Sequence, residues 1–75
     1  MTIDGVSVMA VALKDLKHWR GRRSWFCVRP RGRHMSYVAI ERVERAGRYR
    51  RRVHLSDGLY YVVAPEHAVY VEGAS

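Results

Sequence analysis

Seventy-five residues, 48% hydrophobic and 28% charged, suffice for one small core and leave no room for a second. The chain is therefore expected to form a single domain over 1–75 and not a disordered segment. Fourteen Lys and Arg face seven Asp and Glu, a formal net charge of +7, and no apolar run approaches the roughly 18 residues of a membrane span.

From the N-terminus, Ser7 precedes apolar positions Met9, Ala12, Leu13, Leu16 and Trp19, which fall at helical spacing. Ser7 suits an N-cap and Gly21 the position after the C-cap, with Lys17, His18 and Arg20 complementing the negative helix end. The spacing and caps predict a helix within 7–20. The same stretch also alternates, with Val6, Val8, Ala10 and Ala12 against Ser7, Met9, Val11 and Leu13, which is the pattern of a strand.

After Gly21 the signals are those of strands and short turns. Ser24-Trp25-Phe26-Cys27-Val28-Arg29 reads as a strand ended by Pro30-Arg31-Gly32-Arg33. Met35 to Glu44 begins as a strand, and the three-residue step from Ile40 to Val43 predicts a bulge or sharp bend. A turn at Glu44-Arg45-Ala46-Gly47 leads to an alternating run from Arg48 to Leu55. There Tyr49, Arg51, Val53 and Leu55 share one face, and Arg48, Arg50, Arg52 and His54 the other. Ser56-Asp57-Gly58 is a hairpin signal. The last two strands, Leu59–Val63 and Val69–Val71, are separated by a spacer suited to one 3₁₀ turn. One helix followed by five short strands describes a mainly β fold: a small, bent, five-stranded antiparallel barrel over 24–72 with an N-terminal helix.

The segment Tyr60-Tyr61-Val62-Val63-Ala64-Pro65-Glu66-His67-Ala68-Val69-Tyr70-Val71 resembles the end of the Sm-like fold, including the bacterial RNA-chaperone type. SH3-like barrels share this ending, and they are the better match if residues 6–13 are a strand. In the RNA-chaperone type a basic residue precedes the histidine, and here that place holds Glu66. The resemblance thus implies a fold class used for nucleic-acid or peptide recognition, sometimes as rings, without carrying an RNA pocket onto His67.

Charge is concentrated in the middle of the chain. Residues 14–52 hold all fourteen bases, all but Lys14 and Lys17 being arginine, and the acids beyond are Asp57, Glu66 and Glu72. A segment that basic beside an acidic tail creates a directed field that steers polyanions. Arg29, Arg31 and Arg33 flank one turn. Arg48, Arg50 and Arg52 at strand spacing would stand about 6.5–7 Å apart, close to the phosphate repeat of an extended strand. These six residues are the expected nucleic-acid contacts, with Trp25 or Tyr37 as stacking platforms. The plainer alternative for the arginines is a solvated, aggregation-blocking face, and for any one aromatic it is the core. The run around Tyr60, Tyr61 and Val62 is apolar on both faces, so with Val69 and Tyr70 it is expected to lie under the helix or against a second copy.

Catalysis is not expected. His18, His34, His54 and His67 form no metal-ligand pattern, and the lone Cys27 sits in an apolar strand. The Ser and Asp of His54-Leu55-Ser56-Asp57 are where a turn requires them. No glycine-rich phosphate loop is present, and no cofactor or metal is implied. The single cysteine and the acidic Asp4 near the start imply a reducing, cytoplasmic setting. The sequence thus favours binding of RNA or single-stranded DNA at low sequence specificity. The competing reading is an adaptor, of the kind phages encode, whose basic face docks an acidic protein.

Overall fold

The structure is a computed structural model describing residues 1–29 and 34–73. Its elements are β1 (Thr2–Ile3), β2 (Val6–Ala12), a 3₁₀ helix (Leu13–Trp19), β3 (Ser24–Val28), β4 (Ser36–Arg45), β5 (Arg51–Leu55), β6 (Tyr60–Val63) and β7 (Ala68–Glu72). All pairs are antiparallel, and the strands form one sheet in the order β1-β2-β7-β3-β4-β5-β6. The fold is mainly β, as expected. The five-stranded barrel is not observed: among the described residues there are seven strands, and β1 and β6 end an unclosed sheet.

The N-terminal helix is also corrected. Residues 6–12 satisfy both periodicities, and pairing decides between them. From Val8↔Glu72 to Ala12↔Ala68, β2 lies in continuous register with β7, which supplies its backbone with a full ladder. Val6, Val8 and Val11 also favour the pleated surface. Ser7 caps nothing; its carbonyl accepts the Gly73 N–H at 2.9 Å. Helical geometry survives only from Leu13, as a 3₁₀ run longer than the usual three or four residues. It is anchored where Leu13 N–H donates to His67 O (2.9 Å) and Lys14 N–H to Pro65 O (2.8 Å). Gly21, at φ 81°, follows the C-cap Arg20, the place its sequence position indicated. Asp4 and Gly5, both at positive φ, make the two-residue turn of a β1–β2 hairpin that the charge reading of Asp4 overlooked.

β4 is the joint of the sheet. Its first half, Ser36 to Ala39, pairs with β3, and its second half, from Ile40, pairs with β5. The register slips between Ile40 and Arg42, so the expected bulge is present. It lets Ile40 and Val43 stay on the face of Leu55 and Val53 while the strand bends. The β5–β6 hairpin closes as its residues require: Gly58 N–H donates to Leu55 O (3.1 Å), and Asp57 Oδ1 accepts the Leu59 N–H (2.9 Å). Between β6 and β7, one turn is closed by His67 N–H to Ala64 O at 3.1 Å.

Two apolar clusters lie on opposite faces of β3. Phe26 joins Leu13, Val53, Leu55 and Val69, with Tyr61 and Val63 packed against them. Trp25 joins Ile3 and Val8, covered in part by Tyr37 and Tyr70. β3 is therefore buried on both sides.

Candidate nucleic-acid interface

The expected cations fall into three places. Arg29 is exposed just beyond β3, while Arg31 and Arg33 lie outside the described residues. Arg48 and Arg50 are in the β4–β5 connection, because β5 begins only at Arg51. Gly47, at φ 88°, allows the tight reversal, and Ala46 N–H donates to Arg50 O at 3.1 Å to close it. Of the proposed ladder only Arg52 stands on the strand. It is half-buried beside Glu44 and Val62, its guanidinium carbon 5.3 Å from the Tyr60 ring centre. The three cations do not form a strand ladder; the alternation seen in sequence runs through a turn, where the two-residue period has no structural meaning.

The connection gathers a different set. Tyr49, which is 69% exposed, stands in the connection between Arg48 and Arg50, both exposed. The Arg48 guanidinium carbon lies 6.0 Å from the Tyr49 ring centre. Arg50 Nη1 donates to the Tyr49 carbonyl (3.1 Å) and Arg51 Nη1 to the Arg50 carbonyl (3.0 Å), which brings both guanidinium groups back onto the turn backbone. Among the described residues, neither Arg48 nor Arg50 has a carboxylate within salt-bridge distance. Tyr49 was assigned no contact role from sequence, although a tyrosine two residues past a turn glycine, between arginines, was a usable signal.

Neither expected stacking platform is a fully exposed ring. Trp25 is 4% exposed, since β7 and β4 flank its strand and Ile3 and Val8 cover its face. Tyr37 is half-buried with its ring edge-on to Tyr70, centres 5.5 Å apart. Burial and the neighbouring Cys27 thiol push its phenol pKa up.

Two carboxylates are held by basic partners. Glu72 receives Arg23 at 3.2 Å, and that bond holds its pKa below the usual range. Glu44 is bonded to His54 Nε2 and lies 3.7 Å from Arg42 Nη2. Its pKa is lowered, first by the His54 hydrogen bond and then by the charges of Arg42, His54 and Arg52. A carboxyl depressed on folding contributes stability that is complete above its unfolded pKa and lost as pH falls through the folded one. In urea titrations, Glu44→Gln is expected to lower stability at neutral pH and to make the loss on acidification through and below the ordinary glutamate range shallower. Parallel acid profiles would show the pair to be inert.

The expected self-association residues separate by strand face. Tyr60 and Val62 are exposed on the outer face of the terminal strand β6, whereas Tyr61 packs on Phe26 and Val69 is fully buried. Tyr70 is half-buried. The expected cover over both faces of β6 is thus found on one face only, and Val69 offers no open surface. No helix among the described residues is long and apolar enough to cross a membrane. In comparisons with known proteins, no family model, no curated protein and no solved structure matches the chain.

Proposed function

We propose that this is a small basic β protein that binds nucleic acid, RNA or single-stranded DNA, with low sequence specificity and no catalytic step. The observation that supports it most is the exposed Tyr49 ring between Arg48 and Arg50, two exposed arginines that, among the described residues, lack carboxylate partners. A sequence-tolerant single-strand site needs a π-face on which a base stacks and cations beside it for the backbone, and the β4–β5 turn has both. Such a turn has no helix to present to a major groove, so duplex base readout is outside the proposal. Likeness to Sm-like and SH3-like domains is kept at the level of fold, supported by the chain-order pairing of β3 to β6 and the single turn between β6 and β7. A cytoplasmic setting is supported by the lone cysteine.

Titration of labelled oligonucleotides at two salt concentrations tests the reading. Micromolar or tighter binding to single strands, with log affinity falling steeply against log salt, is expected. Affinity no better than that of an unrelated protein of equal charge overturns it in favour of the adaptor that docks an acidic protein. We extend the proposal to self-association along β6, which ends the sheet with Leu59, Tyr60 and Val62 exposed. Light scattering at tens of micromolar is expected to give more than the monomer mass, and Val62→Lys to restore the monomer. A monomer mass for the unaltered chain removes this extension.

A further inference from the structure

Between the 3₁₀ helix and the root of the β4–β5 hairpin lies a cleft of about 400 Å³. Leu16 and Val43 supply its apolar part, and Lys14, Lys17, Arg45 and Arg51 stand around it with Glu44. Arg45 and Arg51 are direct partners in the β4–β5 register. Directly opposed side chains have Cβ atoms about 4.5–5.5 Å apart, and like charges so placed destabilise a sheet. Across the cleft, the helix adds two ammonium groups three residues apart on one side of a 3₁₀ turn.

The local charges do not cancel. Among the described residues, Glu44 is the only carboxylate lining the cleft, and it is already bonded to His54 and close to Arg42 on the outer face. No other described carboxylate pairs with Arg45, Arg51, Lys14 or Lys17. Four cations therefore converge on a concave space whose repulsion a multivalent anion would relieve. Two fork-shaped guanidiniums suit phosphate oxygens bidentately, and two ammoniums add point charges.

We propose that this cleft is a binding site for closely spaced phosphate groups. It is separate from the exposed Tyr49 surface and does not depend on base stacking. Two phosphates a few ångströms apart come either from a nucleoside polyphosphate or from a nucleic-acid strand. The space and the apolar wall of Leu16 and Val43 accommodate more than an inorganic monoanion.

Calorimetric titration of the full chain with pyrophosphate, ATP and inorganic phosphate at constant ionic strength tests the site. Pyrophosphate and ATP are expected to bind at least about tenfold more tightly than inorganic phosphate, and Lys17→Ala or Arg51→Gln to weaken them about tenfold. Arg20→Ala, an exposed cation away from the cleft, is expected to leave both unchanged. Because the free protein bears the Arg45–Arg51 repulsion, Arg51→Gln is also expected to raise the ligand-free Tm, by up to about 5 °C. Equal losses for Arg20→Ala and Arg51→Gln, or no preference for pyrophosphate over phosphate, overturn the site. Competition by a short oligothymidylate assigns the source to a strand; ATP binding without competition assigns it to a free nucleotide. Failure of oligonucleotide binding alone would remove the proposed function and leave this site standing.

Discussion

Phe26→Ala is expected to cost about 3–5 kcal/mol, the range for truncating a buried phenylalanine. Its ring is 4% exposed and stacked against Tyr61 (centres 5.3 Å apart, planes 18° apart) on one element and His67 (5.1 Å, 16°) on another. Leu13, Val53, Leu55 and Val69 complete its surroundings. One side chain on β3 thus holds β6, the β6–β7 turn, the start of the 3₁₀ helix and β5 to a common centre. At typical per-residue stabilities a chain this short has about 4–11 kcal/mol in total, so the loss removes a large share of it. Urea unfolding followed by circular dichroism should show the midpoint collapse, with much of the variant unfolded before denaturant is added. Tyr49→Ala, exposed at the hairpin tip, should stay within about 0.5 kcal/mol of the parent. Comparable losses for the two would mean that the sheet is not organised around Phe26.

The contrast between Phe26 and Tyr49 also marks where sequence reading succeeds. Features set by local chemistry were legible: the Ser56-Asp57-Gly58 turn, Gly21 beyond the helix and the slip between Ile40 and Arg42 each follow from a few adjacent residues. Features set by distant pairing were not. Residues 6–12 carry helical and strand periodicity together, and the choice belongs to β7 at the opposite end of the chain. The arginine ladder failed for a related reason. Alternation from Arg48 to Leu55 is continuous in sequence, yet the backbone becomes a strand only at Arg51, so Arg48 and Arg50 are displaced into the turn. Residue type likewise did not separate Trp25, enclosed on β3, from Tyr49, whose ring stands open to solvent. Aromatic character identifies candidates for stacking; exposure is decided by which strand each residue occupies.

Combined replacement of Arg48 and Arg50 by Ala is expected to weaken single-strand binding and to reduce the slope of log affinity against log salt by about 1.4, at about 0.7 for each phosphate no longer neutralised. Tyr49→Ala should act differently. It removes no charge, so the salt slope should hold while affinity falls by the about 1–3 kcal/mol typical of one base–aromatic stack. Tyr49→Phe keeps the ring and should keep the affinity. These signatures are separable because the turn backbone is closed by its own hydrogen bond, Ala46 N–H to Arg50 O, with the Arg50 and Arg51 guanidiniums adding bonds to the turn carbonyls. Removing Arg48 touches none of those bonds, whereas removing Arg50 takes one exposed side-chain bond and leaves the β4–β5 register in place. If Arg48→Ala with Arg50→Ala leaves the slope unchanged while Arg29→Ala lowers it, the strand lies along the end of β3 instead, and the hairpin tip is not the interface.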